Sequence, residues 1–304
     1  GSIDVLAWAF APSRPYNDRR MVFTAMALVF GLGLGGGVAY LRSSRNQTIY
    51  AAKDMPHPMQ VPFLGYIPLT RARRSLGRSL YDEVLQSQSR MIESVRVVRT
   101  ALLSRLDGQG NTTVLVTSAA AGTGKSSFTR MLGKSLAQAG KKVLMIDADF
   151  RKMALTRRFD LLDKPGFMES LRSRSVDERF VFPTETTGLS VMPAGTQGDD
   201  GALFEETANG AFKTCIGELR KRYNIILLDS PPILPVADAA ILSSQVDGTI
   251  MVERELVSRR SNVIDALARL GSAGGRLLGT VFVGSDEHED YGYDYYYNRT
   301  SESQ

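Results

Sequence analysis

Apolar and polar positions divide the chain into stretches of different character. From Met21 to Leu41 it reads MVFTAMALVFGLGLGGGVAYL, 21 positions without a charge. At about 1.5 Å per residue this covers about 30 Å, the thickness of a bilayer's hydrocarbon core. Gly31, Gly33, Gly35, Gly36 and Gly37 would each cost a water-exposed helix roughly 1 kcal/mol relative to Ala. In lipid, Gly31-x3-Gly35 and Gly33-x3-Gly37 instead form a small-residue packing surface. A transmembrane helix over 21–41 is therefore expected. After residue 80 a helix is expected from about Tyr81 to Leu106. Short apolar runs follow at Thr113–Thr117, Val143–Ile146, Ile225–Leu228, Thr249–Val252 and Leu277–Val283, with helical stretches between most of them. Strands alternating with helices predict an α/β fold, a mostly parallel sheet covered by helices on both faces. From Ser285 the apolar pattern stops, and a disordered, tyrosine-rich tail is expected over 285–304.

Charge sharpens the partition. The 304 residues carry a formal net charge of +5. Residues 42–80 hold seven Arg or Lys against Asp54 alone and include Pro56, Pro58, Pro62 and Pro68, which reads as a basic linker beside anionic headgroups. The excess of Lys and Arg after the span places that side in the cytoplasm and residues 1–20 in the periplasm. The start at Gly1-Ser2 reads as a cut end, so a longer parent chain is expected. A single cysteine, Cys215, excludes an internal disulfide, and His57 and His288 leave little room for histidine-based metal or triad chemistry.

The candidate chemistry lies at strand ends. VLVTS runs into Ala119-Ala120-Ala121-Gly122-Thr123-Gly124-Lys125-Ser126-Ser127 and then a helix. This is a P-loop arrangement. Small residues let backbone N–H groups at Ala121 to Ser127 wrap phosphates, Lys125 reaches the β and γ phosphates, and Ser126 ligates Mg²⁺. Next comes KVLMIDADFRK, with Asp147, Asp149 and Arg151 following an apolar run, the two carboxylates sharing one side of the chain. Further on, IILLDSPP ends another apolar strand with Asp229, the position of a Walker B carboxylate. All three motifs fall on the ligand-binding edge of one expected sheet.

In this order and spacing GTGKSS, LMIDADFR and ILLDSPP resemble the bacterial tyrosine kinases, P-loop enzymes unrelated to the eukaryotic protein kinases. The resemblance covers about residues 80–304. Ala119 stands where the first P-loop Gly is usual, and Ala120 where the related septum-positioning and partitioning ATPases carry a signature lysine. The resemblance implies an ATP- and Mg²⁺-dependent protein-tyrosine autokinase over 81–284. Lys125 and Arg151 would hold nucleotide, Ser126, Asp149 and Asp229 would hold the metal, and Asp147 would be the proton acceptor, although Asp147 and Asp149 could exchange roles.

It also implies a ring of subunits assembled through Glu93, Arg96 and Arg99, which by spacing alone are an ordinary solvated helix face. Tyr291, Tyr293, Tyr295, Tyr296 and Tyr297 would be the phosphoacceptors. Their neighbours Asp286, Glu287, Glu289, Asp290 and Asp294 would repel a nucleic-acid backbone, so no nucleic-acid partner is expected. Pro12-x2-Pro15 and Gly35-Gly36-Gly37 resemble the membrane signature of polysaccharide co-polymerases. That adds the inner membrane, polysaccharide polymerase and export machinery, and a protein-tyrosine phosphatase as expected partners, with a role in exopolysaccharide or capsule synthesis. A membrane-tethered ATPase switch, or a scaffold stabilised by nucleotide, would fit the P-loop without tyrosine transfer.

Overall fold

The computed structural model describes residues 19–45, 48–49, 61–69, 80–106, 110–196 and 210–284. They fall in two compact units, 1–47 and 48–304. In the first, helix α1 (Arg20–Arg45) contains the expected span. Its Arg20–Leu41 stretch is long and apolar enough to cross a membrane, with none of it buried in protein. A methyl group added at any of its five glycines would meet nothing within 4 Å, so the small-residue face is open.

In the second unit the described strands are β1 (Phe63–Pro68), β2 (Thr112–Thr117), β3 (Val143–Asp147), β4 (Phe182–Pro183), β5 (Leu189–Met192), β6 (Ile225–Asp229), β7 (Gly248–Arg254) and β8 (Leu277–Gly284). They form one sheet in the order β1-β8-β7-β2-β6-β3-β5-β4, parallel except for the β4–β5 edge pair. The five expected strands occupy the centre, where both faces are covered and near-continuous apolar runs are required.

Alternation along those strands sorts the core into layers. Val114, Val116, Val143, Met145, Ile225 and Leu227 meet Val98 and Leu102 of α2 (Leu80–Leu106) and Phe128, Leu132 and Leu136 of α3 (Lys125–Gln138). The intervening Leu115, Leu144, Ile146, Ile226 and Leu228 face α5 (Phe167–Ser173) and α6 (Ala211–Leu219). Between β3 and α5 runs the short α4 (Ala154–Arg158). A third cluster joins Met251 and Phe282 to α7 (Asp238–Ser243) and α8 (Arg260–Ser272), and takes in Ile49 and Ala119.

Part of the stretch read as linker is domain. β1 lies within residues 42–80 and pairs in parallel with β8, Tyr66 opposite Phe282. Ile49 is fully buried; its N–H donates to Ser258 C=O, and its own carbonyl accepts from Leu256 N–H. Of the prolines that argued for a linker, Pro62 directly precedes β1 and Pro68 ends it at the sheet edge, where a missing N–H costs little, while Pro56 and Pro58 lie outside the described residues. The expected helix is observed one residue earlier, from Leu80. The tail read as disordered, 285–304, lies outside the described residues.

Helix α2 is seated on β1 through Gly65, whose φ of +154° lies where L side chains rarely go. A Cβ there would stand 2.7 Å from Val98 Cγ2. Gly65→Ala should lower the stability of the full chain in detergent micelles by about 1–3 kcal/mol, a cost of overpacking. Combined with Val98→Ala the two losses should sum to less than their separate values, as thermal unfolding of the double-mutant set will show.

Candidate functional site

The site gathers at the C-terminal ends of the central strands, where the order β7-β2-β6-β3 sets α3 against two neighbouring carboxylates. After β2 the chain turns through Gly122 and Gly124, at φ +84° and +96°. Open space surrounds a Cβ at either position, so backbone conformation is what demands glycine there. Gly124 caps α3 with no side-chain hydrogen bond, leaving the first N–H groups of that helix directed at whatever the loop encloses. Thr123 Oγ1 is buried beside them and makes no hydrogen bond.

Lys125, the first residue of α3, is only 7% exposed. Burial lowers its pKa, while the fields of Asp229 and then Asp149 raise it and so favour the ammonium. Those carboxylates come from adjacent strands in register, Asp147 of β3 standing opposite Asp229 of β6. Both are fully buried, and Asp149 is 4% exposed. Asp147 is held on three sides. Its Oδ2 accepts from Thr156 N–H at 2.8 Å and Thr156 Oγ1–H at 2.7 Å, and its Oδ1 accepts from Asp149 N–H at 3.1 Å. Burial still raises its pKa against those donors. Neither oxygen of Asp229 receives a well-formed hydrogen bond. Burial first, then repulsion from Asp147, raises its pKa, and the nearby Ser126 hydroxyl and the Lys125 ammonium act in the opposite direction. A buried, underbonded carboxylate facing a loop of free N–H groups is the donor set expected for a hard divalent cation shared with phosphate oxygens.

Sequence reasoning missed the residues that hold this array. Glu253 on β7 is fully buried; it accepts from Ala119 N–H at 2.8 Å and from the Ser258 hydroxyl. Arg254 Nη1 donates to Gly122 C=O at 3.2 Å. The end of β7 thus grips the P-loop at its entry and near its crest. Thr156 on α4 fixes Asp147 and in turn accepts from Ala194 N–H at 2.9 Å. The signal for Glu253 was present: an acid ending an apolar run in TIMVE, the same pattern that picks out Asp147 and Asp229.

The remaining expected residues are distributed unevenly. Arg151 is exposed on the turn after β3. On α2, Glu93 and Arg96 pair at 3.0 Å on an exposed face. Arg99 does not join them: its Nη1 donates to the Ser135 carbonyl at 3.0 Å and to Ser135 Oγ at 3.2 Å, tying α2 to the end of α3. The tyrosines at 291, 293, 295, 296 and 297 lie outside the described residues.

Comparison with known proteins bears on the fold and the family. A family model described as "AAA domain" matches residues 111–260. Tyrosine-protein kinase YwqD of Bacillus subtilis is 31% identical over 227 residues, 73% of this chain and 94% of that protein. EpsB of Ralstonia nicotianae is 28% identical over 98% of this chain. This chain spans 41% of EpsB's length, and 39% of the tyrosine-protein kinase ptk of Acinetobacter johnsonii. Among solved structures, the BceF tyrosine kinase domain superposes with a TM-score of 0.64 at 30% identity, over 78% of this chain and 99% of that one. The chimerical protein CapA2B2 superposes at 0.65 with 25% identity, over 77% and 98%.

The buried Glu253 gives a pH test. Burial pushes its carboxyl up to about 7 against an ordinary value of 4.5, the Ser258 hydroxyl and Ala119 N–H opposing. A raised folded pKa means that the folded state holds the proton more tightly. Its contribution is complete below about 4.5 and is lost as pH rises through about 7, by up to about 3 kcal/mol. Glu253→Gln carries no such loss. Its melting temperature relative to the unaltered protein should therefore climb by about 5 °C or more between pH 5 and pH 8, measured by calorimetry of the full chain in detergent.

Proposed function

Because the chain belongs to the bacterial tyrosine kinase family, we propose that it transfers the γ-phosphoryl group of ATP to tyrosines of its own kind. The acceptors are Tyr291, Tyr293, Tyr295, Tyr296 and Tyr297 in the tail of a neighbouring copy. The observation that carries this reading is the register pair Asp147 and Asp229 set beside the buried Lys125 at the mouth of the P-loop.

In this mechanism the N–H groups from Ala121 to Ser127 and the Lys125 ammonium hold the phosphates. Ser126, Asp149 and Asp229 would hold Mg²⁺, for which the underbonded Asp229 carboxylate is suited; the ion when bound neutralises phosphate charge. Asp147 accepts the hydroxyl proton of the incoming tyrosine. The tyrosine oxygen forms its bond to the γ phosphorus as the bond to the β–γ bridging oxygen breaks, leaving phosphotyrosine, ADP and a protonated Asp147. Burial suits Asp147 to this task, since a carboxyl with raised pKa is a stronger base near neutrality. Arg151 at the turn after β3 assists with the nucleotide.

Copies assemble into a ring through the exposed Glu93 and Arg96, with Arg99 fixing α2 against α3 within each copy. Each phosphate adds about −1.5 to −2 charges to an acidic tail and so favours release of the ring. Helix α1 anchors the protein in a bacterial inner membrane with residues 48–304 in the cytoplasm, where ATP is supplied. Through that anchor the cycle of phosphorylation and removal by a protein-tyrosine phosphatase regulates exopolysaccharide or capsule polymerisation and export.

The test is to incubate the full chain with ATP and Mg²⁺ and map phosphate by mass spectrometry. Tail tyrosines should be labelled. Lys125→Met should abolish labelling, and Asp147→Asn should slow it by about 10²–10⁴-fold. Free phosphate beside an unmodified tail would indicate an ATPase switch instead. Mixing a Lys125→Met chain with an active chain lacking 285–304 should label the inactive partner; its absence would exclude transfer between copies. Arg96→Glu, which opposes two acids on α2, should reduce both the oligomer seen by light scattering and that labelling.

A further inference from the structure

Between α3 and α4 lies a cleft of about 300 Å³ that borders the phosphate cradle at Ser126 and Ser127 and runs on to residues the nucleotide chemistry does not use, Arg130 and Arg158. Ser126, Ser127 and Arg130 share one face of α3, being three and four residues apart, and Ala154, Leu155 and Arg158 share one face of α4 by the same spacing. Those two faces line the cleft. Its lining combines the side chains of Ala154 and the buried Leu155 with two guanidiniums. Among the described residues neither guanidinium pairs with a carboxylate. Burial, and then the facing Arg158, disfavour the charge on Arg130. Two like charges brought together without an acid between them call for an anion, and small apolar side chains beside them suit a ring. Arg130 stands about 7.5 Å along the helix axis from Lys125, so the cleft extends from the edge of the phosphate cradle along α3.

We infer that this cleft docks the acidic tyrosine segment 285–297 of a second copy, Arg130 and Arg158 gripping its carboxylates while a tyrosine ring rests over Ala154 next to Ser126. The inference rests on the tyrosine-transfer reading and adds to it the residues that select the acceptor. Charge complementarity names the occupant: the segment carries Asp286, Glu287, Glu289, Asp290 and Asp294 among its five tyrosines and contains no Lys or Arg. Docking at this position presents a hydroxyl to the end of the P-loop occupied by Ser126, on the side where α4 holds Asp147 through Thr156.

The test uses full chains in detergent, with a distinguishable Lys125→Met chain as acceptor and phosphotyrosine on that acceptor as the readout. Arg130→Glu with Arg158→Glu in the donor should raise the KM for the acceptor chain about tenfold or more, while the KM for MgATP stays within about threefold. Arg130→Lys with Arg158→Lys should restore most of the acceptor affinity, since the charge is kept. An acceptor bearing Asp286→Asn, Glu287→Gln, Glu289→Gln, Asp290→Asn and Asp294→Asn should show the same rise with the unaltered donor, and little further rise with the reversed one. This second arm leaves the donor intact, so it holds even if charge reversal disturbs folding. An unchanged acceptor KM in either arm overturns the docking. A MgATP KM that rises in step also overturns it, by assigning the arginines to nucleotide. An unaltered pair that binds MgADP but labels no tail overturns tyrosine transfer itself and this docking with it.

Discussion

The arrangement depends on one electrostatic constraint: an ammonium and several carboxylates are buried together at the edge of a sheet. Lys125, Asp147, Asp149, Asp229 and Glu253 are each 7% exposed or less. Any one of them alone would be strongly destabilising at that depth. Together they offset one another, since the fields of Asp229 and Asp149 favour the charge that burial opposes at Lys125. The compensation is incomplete. Carboxyls held above their ordinary range, one of them without a well-formed hydrogen bond, gather at the strand ends where a ligand would complete them.

The rest of the fold serves to hold that group still. Parallel strands in register place Asp147 opposite Asp229 without recourse to a loop. Two elements fix what the strands cannot: α4 supplies Thr156 to Asp147, and β7 supplies Glu253 and Arg254 to the P-loop. Glu253 also links the loop to Ser258, whose carbonyl receives the buried Ile49 just after the first unit. A chain of hydrogen bonds therefore runs from the sequence after α1 to the first residue of the phosphate cradle.

What could be read from sequence followed how local each feature is. The central strands announced themselves because a strand buried on both faces must be apolar throughout. The P-loop did so because its glycines answer to backbone geometry alone. The edge strands were invisible for the opposite reason: Phe63–Pro68 is a strand because β8 and Val98 are beside it, and Pro68 and the preceding Pro62 read as linker until that neighbour is known. Arg99 likewise looks equivalent to Arg96 along the helix, and only the position of Ser135 on α3 separates a residue tied down inside the protomer from one left on the surface. Thr156 carried no local signal at all, since its partner Asp147 is nine residues away across a turn. The tyrosine tail was legible as composition, and its acidic neighbours give charge a direction that the basic average of the chain conceals.

The central claim is that the raised carboxyls beside Lys125 form a divalent-cation and nucleotide site. Calorimetric titration of the full chain with ADP at pH 7, with and without Mg²⁺, in two buffers of different ionisation enthalpy tests it most directly. Binding should require Mg²⁺ and release protons, because Asp229, raised by burial to about 8, must give up its proton to hold the cation. Binding that is indifferent to Mg²⁺ and exchanges no protons would contradict it.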